Sequence, residues 1–361
     1  MTSAGREHLL LINTGSSSVK LTVWGEGRAL VARGFARDAS IDLTELVAPH
    51  GPIDAVVHRV VHAGEVQRHA LITPAVEAAI RDASSLAPLH NPMALRYIAA
   101  ARAAFGAATP QVAALDTAFF ADLPPEAATY ALPPEVGPAR RYGFHGLAHA
   151  FMARRCLELD RRGPRRLVTL QLGAGCSATA IRDGRALDTS MGFSPSEGLM
   201  MASRSGDVDP GLLVHLLRTR GYSADGLDRL INERGGLLGV CGESAMREVL
   251  RLAATGDSRA ALAVELYCHR VRKVIGAYAA VLGGVDAVVF GGGVGENAGE
   301  IRRRIIDPLA WMGLDLDGVR NAARPVDQPI TSAASRATAW VVHLDEAAEM
   351  ARIGGGLLRA A

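Results

Sequence analysis

The sequence predicts two related α/β domains with a cleft between them. Three observations lead there. An apolar run, a small-residue turn and a second apolar run occur twice, as LLLINTGSSSVKLTVWGEG over 9–27 and LVTLQLGAGCSATAIRDG over 167–184. After each copy, strand-like runs alternate with helical stretches, as in a sheet covered by helices. Finally, 361 residues exceed what a single core ordinarily organises.

Taken in order, Leu9–Asn13 and Val19–Trp24 read as a hairpin joined by Thr14–Ser18, and Ile53–His62 as a further strand. Ala75–Ser84 and Ala94–Ala104 have helical composition, and Val112–Leu115 is a short buried strand. The proline-rich stretch Phe119–Arg141 reads as an irregular connection before a helix over Leu147–Leu159. Leu167–Leu172 and Ala178–Arg182 then repeat the hairpin, and the tripeptide GRA follows both copies. Helices are expected over Gly211–Arg220, Ser244–Ala254 and Ser258–Leu282, then a buried strand, Val285–Phe290, running into the turn GGGVGEN. A helix from Glu300 to Ile306, a strand over Thr338–His343 and a helix over Glu346–Arg359 complete the chain.

Composition narrows the function classes. With 49% hydrophobic and 21% charged residues the chain is globular, and a formal net charge of +2 provides no general field for nucleic acid or membrane. Four cysteines form no CxxC pair and have no metal-ligand spacing, so they read as small buried hydrophobes of a reducing cytoplasm. MTSAGREHLLLI lacks a secretory h-region, and the apolar stretch Ala277–Gly295 is broken by Asp286 and glycines, so a cytoplasmic location is expected. Lysine occurs only at Lys20 and Lys273, which singles out Lys20 in the first turn.

Three turns could hold phosphate. NTGSSSVK offers backbone N–H groups, hydroxyls, an amide and an ammonium in eight residues, and its small residues admit a polyanion closely. LGAGCS is the same device with fewer side-chain donors. GGGVGEN follows a strand and precedes a helix, so its amides would face a ligand there. Neither the dinucleotide fingerprint nor a P-loop occurs.

NTGSSSVKL, HRVVHAG, LAPLHNP, DTAFF, RRYGFHGLAH, DTSMGFSPSEGLMMASRSGDVDP and GGGVGENAGEIR occur in this order. In these motifs, over nearly its whole length, the chain resembles the acetate kinase family. The resemblance implies duplicated ribonuclease-H-like domains of the actin/Hsp70 type, with ATP in the interdomain cleft and the last helix crossing back to the first domain. The expected division is 1–118 plus 348–361 on the acetate side and 119–347 on the nucleotide side. The implied reaction is reversible, Mg2+-dependent transfer of the ATP γ-phosphoryl group to acetate, giving acetyl phosphate and ADP. Mn2+ is the alternative metal, and a homodimer the expected assembly.

Residue by residue, the resemblance makes Arg59 the carboxylate-binding arginine and Arg204 its partner at the transferring phosphoryl group. A guanidinium suits both tasks, being a planar fork that stays charged. Asp116 is implied to hold Mg2+ or its waters, to orient acetate and to handle a proton. Acetate is already ionised at pH 7, so a strong base is not required. His145 is implied to stabilise the equatorial oxygens of the transition state. His145 and His149 alone do not make a zinc motif. Asn13 and Glu346 match the outer contacts of Mg2+, Glu346 within LDEA rather than the family's Thr-[Asn/Asp]-Glu-Glu. Val61, Leu89, Phe144 and Pro195 match the pocket for the acetate methyl group. One methylene is worth only about 1–3 kcal/mol, so propionate is expected as a poorer substrate. Lys20, Gln171, Leu172, Gly173, Ala174, Gly175, Arg247, Gly293, Val294, Gly295, Glu296 and Asn297 match the nucleotide side.

There the chain departs from its family. The turn His-Leu-Gly-Asn-Gly-Ala-Ser is Gln171-Leu-Gly-Ala-Gly-Cys-Ser177, and Gly-x-Ser-Ser-Asp-x-Arg is the shorter Gly242-Glu-Ser-Ala-Met-Arg247. Other activities therefore stay open: a propionate-preferring or pyrophosphate-linked acyl kinase, and a catalytically weakened nucleotide sensor or pseudokinase.

Overall fold

The computed structural model describes residues 8–15, 18–37, 39, 41–88, 90–137 and 139–361. They form two compact units, Met1–Ala121 with Asp345–Ala361, and Asp122–Leu344. In the first, β1 (Leu9–Thr14), β2 (Ser18–Gly25), β3 (Arg28–Ala36), β4 (Ala55–Val60), β5 (Ala70–Leu71) and β6 (Gln111–Leu115) lie in the order β3-β2-β1-β4-β6-β5. In the second, β7 (Arg166–Leu172), β8 (Cys176–Arg182), β9 (Arg185–Thr189), β10 (Ala287–Gly291), β11 (Gln328–Pro329) and β12 (Thr338–Val341) lie in the order β9-β8-β7-β10-β12-β11. Each sheet is an antiparallel meander, then two parallel strands, then a short antiparallel edge.

The duplication extends to irregularities. Both meanders shift register at one place, between Val23 and Trp24 and between Ala180 and Ile181. Both turn on a left-handed pair, Glu26-Gly27 at φ 54° and 74° and Asp183-Gly184 at φ 50° and 78°. Positive φ at both central residues suits the twist of a two-residue hairpin, and glycine takes it without steric cost. The GRA echo is therefore a repeated turn opening a third strand.

The sequence reading stops each hairpin one strand early. β3 is mostly exposed and β9 short, so neither shows the buried run or clean alternation that marks a strand. It also omits the helices Ala224–Glu233 and Gly236–Cys241. GGGVGEN is corrected from a turn to a short helix, Gly292–Asn297, followed directly by the helix Gly299–Ile306. Glycine disfavours helix by about 1 kcal/mol per residue, so propensity alone argues against it.

The central strands read as continuous apolar runs because helices cover both faces. On one face of the first sheet, Leu10, Ile12, Leu21 and Val56 pack against Met93, Tyr97 and Ala101 of the helix Asn91–Phe105. Each fully buried aliphatic side chain contributes about 1.5–3 kcal/mol. The C-terminal helix Glu346–Ala360 belongs to the first unit, with Gly354 against Val57 of β4. The 25-residue helix Ser258–Leu282 is capped by Asp257, which accepts from the Arg259 and Ala260 amides, and stopped by left-handed Gly283.

Three histidines of the first unit are held neutral. His58 donates Nε2–H to Gln111 Oε1 at 2.7 Å, while its Nδ1 is buried without a partner. Nδ1 of His62 and of His69 accepts the amides of Gly64 and Leu115, at 2.9 and 3.1 Å. Burial lowers all three pKa values from the usual 6.5 to about 4. The unfolded chain therefore binds more protons between pH 6.5 and 4. The stability these groups contribute is complete above pH 6.5 and is lost as pH falls through that window. Urea unfolding from pH 7 to 5 should show stability falling with pH, and His58→Gln should reduce the slope by up to about 1.4 kcal/mol per pH unit. An unchanged slope would mean that His58 is protonated in the fold.

Candidate active site

In the first unit the site lies at the carboxyl ends of the parallel strands, where open α/β sheets bind ligands. Asn13 is near the end of β1, Arg59 near the end of β4, and Asp116 directly follows β6. Parallel pairing sets Arg59 opposite Ala114 and Val60 opposite Leu115, and the Asp116 amide donates to Val60 O at 2.9 Å. Glu346 opens the C-terminal helix, whose cap Asp345 accepts the Ala348 amide at 3.0 Å.

Arg59 ties these residues together. Its Nε and Nη2 donate to Asp116 Oδ1 and Oδ2 at 3.1 and 2.7 Å, a bidentate pair. Nη1 donates to Asn13 Oδ1 at 3.1 Å and lies 3.6 Å from Glu346 Oε2, which accepts from Asn13 Nδ2 at 2.7 Å. Desolvation opposes the guanidinium's charge, but Asp116 and then Glu346 outweigh it and raise its pKa. Two carboxylates around one guanidinium leave a net negative charge, and the Asp116 side chain is only 2% exposed. Hard oxygen donors with surplus negative charge fit Mg2+, which binds through few carboxylates and keeps its waters. Among the described residues, no three His, Cys, Asp or Glu side chains converge on a ready-made metal cage.

Lys20 is exposed on β2, opposite Asn13 in the register. Val61 is buried just beyond β4. Leu89, expected in the methyl pocket, and Ser16 and Ser17 of the first turn lie outside the described residues.

In the second unit, β7 and β8 are joined by Gly173–Gly175, closed by Gly173 N–H donating to Gly175 O at 3.0 Å. The Ala202 amide donates to Ala174 O at 3.1 Å, tying this turn to the loop that carries Arg204. A methyl group added at Gly175 would stand 3.1 Å from His145 Cε1, 3.2 Å from His145 Nε2 and 3.8 Å from Arg204 Nη2. Thus the imidazole, the guanidinium and the turn share one space. His145 enters its helix in a left-handed conformation at φ 59°, a strain of about 1–2 kcal/mol that persists where surroundings hold the residue.

Arg204 is half-buried, and Nη1 donates to Pro195 O at 2.7 Å. Among the described residues no carboxylate pairs with it, and burial lowers its pKa, with Cys176 acting in the opposite sense. Its loop is braced elsewhere: Arg141 reaches Glu197 at 2.6 Å, Tyr130 hydrogen-bonds the same carboxylate, and Asp207 accepts the Gly198 amide at 2.7 Å. The loop's ion pair is therefore spent on shape, while Arg204 is left for an anion. Phe144 is buried and Pro195 half-buried in this unit.

Gln171, next to last in β7, lies opposite Gly291 of β10. A methyl group added at Gly292 would lie 2.7 Å from Gln171 Oε1 and 2.8 Å from Leu172 O, so the turn abuts the glycine helix. Gln171 Oε1 is buried without a partner. Ala174 and Gly293 are exposed, and Leu172 and Gly295 buried. The Glu296 and Asn297 side chains serve the helix itself. Glu296 accepts the Gly292 and Leu344 amides and bonds His343, and Asn297 donates to Gly293 O. Arg247 is exposed beside Glu248 at 3.4 Å.

The sequence reading missed three supports: the Arg141–Glu197 brace, the Ser177 hydroxyl bonded to both His145 and His149, and Arg302. Arg302 is 1% exposed and clamps the far end of the glycine helix, donating to Gly295 O and Glu296 O at 2.8 Å. Only the i, i+4 spacing of His145 and His149 hinted at any of these.

Comparison with known proteins points to a family. The profile of the acetokinase family matches residues 39–352. A protein of Solibacter usitatus named acetate kinase is 48% identical over 311 residues, covering 83% of this chain and 75% of its own. The solved Porphyromonas gingivalis acetate kinase aligns with a TM-score of 0.86 at 36% identity, over 98% of this chain and 100% of its own. A propionate kinase from Francisella tularensis aligns with a TM-score of 0.87 at 33% identity, over 96% and 98%.

A buried charge without a counterion costs stability, so Arg204→Met should leave unfolding stability unchanged or raise it by about 1 kcal/mol. Arg141→Met, which strands Glu197, should lower it by about 1–3 kcal/mol. Phosphate should raise the melting temperature of the native protein and not of Arg204→Met. A strongly destabilised Arg204→Met would place that guanidinium among the structural residues.

Proposed function

The chain belongs to the acetokinase family, and on that premise we propose that it transfers the γ-phosphoryl group of ATP reversibly to acetate. A carboxylate oxygen of acetate attacks the γ-phosphorus, the bond to the bridging oxygen of ADP breaks, and acetyl phosphate and ADP form. The observation that carries this reading is Arg204, a half-buried guanidinium beside His145 and the Gly173–Gly175 turn that has no carboxylate partner among the described residues.

Each residue then meets a need of the chemistry. Two anions must be brought together, so positioning and charge neutralisation dominate. Arg59 binds the acetate carboxylate, with Asp116 fixing the plane of its fork. Arg204 and His145 donate to the equatorial oxygens as charge develops on them. Amides of the Gly173–Gly175 turn and of the glycine helix contact the nucleotide phosphates. Mg2+, when bound, supplies charge neutralisation across the phosphates, and the oxygens of Asn13, Asp116 and Glu346 would hold it or its waters. Val61, Leu89, Phe144 and Pro195 serve the methyl group, a role that the family resemblance supports. Lys20 and Arg247 serve the nucleotide side, where the family resemblance supports them. The same resemblance supports a cytoplasmic homodimer, and among the described residues no helix is long and apolar enough to cross a membrane.

A second reading concerns the donor. Ala174 removes a side-chain amide of the family turn and Gln171 replaces a potentially cationic imidazole, while the backbone closure at 3.0 Å is kept, which favours a donor held mainly by main chain. ATP remains the first choice because the glycine helix carries no bulky replacement over the adenosine side.

Trapping acyl phosphate with hydroxylamine tests both readings. Acetate with ATP should give the most hydroxamate, propionate less and butyrate least, with GTP and pyrophosphate as rival donors. No hydroxamate under any pairing would overturn the kinase assignment. Arg204→Ala should lower kcat roughly 10³-fold, the scale of an arginine acting on a transferring phosphoryl group.

A further inference from the structure

A buried row of side chains runs inward from His145. Thr169 on β7 and Ser177 on β8 are diagonal neighbours on one face, since Thr169 pairs with Thr179 and Gln171 with Ser177. His149 lies one turn beyond His145 on the helix Gly146–Leu159. His149 Nδ1 lies 2.7 Å from Thr169 Oγ1, His149 Nε2 lies 2.7 Å from Ser177 Oγ, and Ser177 Oγ lies 2.9 Å from His145 Nδ1. Thr169, His149 and Ser177 are each 0% exposed.

We propose that Thr169, His149 and Ser177 form a one-way hydrogen-bond relay that holds His145 in the tautomer carrying its proton on Nε2. His149, Ser177 and Thr169 are then positioning residues for phosphoryl transfer, a role that rests on the reading of His145 given above.

A neutral imidazole has one donor and one acceptor, and a hydroxyl has one proton, so the row can run outward or inward, or both rings can donate to Ser177 and strand its proton. Outward, Thr169 donates to His149 Nδ1, His149 Nε2–H donates to Ser177, and Ser177 donates to His145 Nδ1. His145 then presents Nε2–H beside Gly175 and Arg204. Inward, every bond reverses. His145 Nε2 becomes an acceptor, useless to a phosphoryl oxygen, and the Thr169 proton has nowhere to go. Among the described residues His149 is the one partner of the Thr169 hydroxyl. A stranded buried donor costs about 1–3 kcal/mol, which favours the outward direction about 5- to 150-fold. A ring that donates from Nε2 is what the site needs. The left-handed backbone of His145 at φ 59° gives the ring a fixed starting point for that bond.

Histidine-selective 15N labelling tests the relay directly. Long-range proton–nitrogen spectra of the full chain, with the His145 signal assigned by its loss in His145→Gln, report which ring nitrogen carries the proton. The native protein should show a protonated Nε2 and a bare Nδ1. Thr169→Val, an isostere without the donor, should move part of the population to Nδ1–H and lower kcat roughly tenfold with little change in KM. Thr169→Ser should restore both, and Ser177→Ala should shift the tautomer if the valine variant does not fold. A native His145 with its proton on Nδ1, or doubly protonated, overturns the relay. So does a Thr169→Val variant with the native spectrum and kcat. The spectra read the relay even if no acyl phosphate is ever made.

Discussion

Parallel pairing of the middle strands is the constraint from which the candidate site follows. With β1, β4 and β6 running the same way, Asn13, Arg59 and Asp116 reach one edge of the first sheet. With β7, β10 and β12 doing the same, the Gly173–Gly175 turn and the glycine helix share an edge of the second. Parallel strands need helical crossovers, crossovers bury both faces, and the strands must then be almost wholly apolar. Polar chemistry is thereby pushed toward the strand ends, where Asn13, Arg59, Asp116 and the Gly173–Gly175 turn are found.

The two units handle positive charge in opposite ways. Arg59 is over-neutralised by Asp116 and Glu346, so its set retains an appetite for a cation. Among the described residues Arg204 bonds a carbonyl and no carboxylate, so its surroundings retain an appetite for an anion. Phosphoryl transfer between anions needs both kinds of place, because its catalysis is mostly charge and position rather than covalent chemistry. The loop that carries Arg204 is braced by Arg141–Glu197, and the glycine helix is held by Arg302, each of whose three nitrogens donates to an oxygen.

Much of the fold was legible because its signals are local. Leu9–Thr14, Gln111–Leu115 and Ala287–Gly291 announce themselves as apolar runs, and Ser258–Leu282 by its cap and its terminal glycine. β3 and β9 were not, since an exposed edge strand needs no apolar pattern. The glycine helix Gly292–Asn297 was not, because it opposes propensity and is held by contacts from Arg302 and Glu296. Of the site, Asn13, Arg59, Asp116, His145 and Arg204 were marked by motif. Glu296 and Asn297 carried the same kind of mark, yet their side chains are bonded within their own unit.

The sequence by itself determined the duplication, the run of central strands and the candidates for the site, because periodicity, turn glycines and motifs are written along the chain. Only the tertiary structure decided their partners. That Arg204 lacks a carboxylate, that Asp116 grips Arg59 with both oxygens, and that Ser177 links two histidines are facts about residues distant in sequence. Charge balance and proton direction depend on which groups are within about 3 Å, and no local pattern carries that distance.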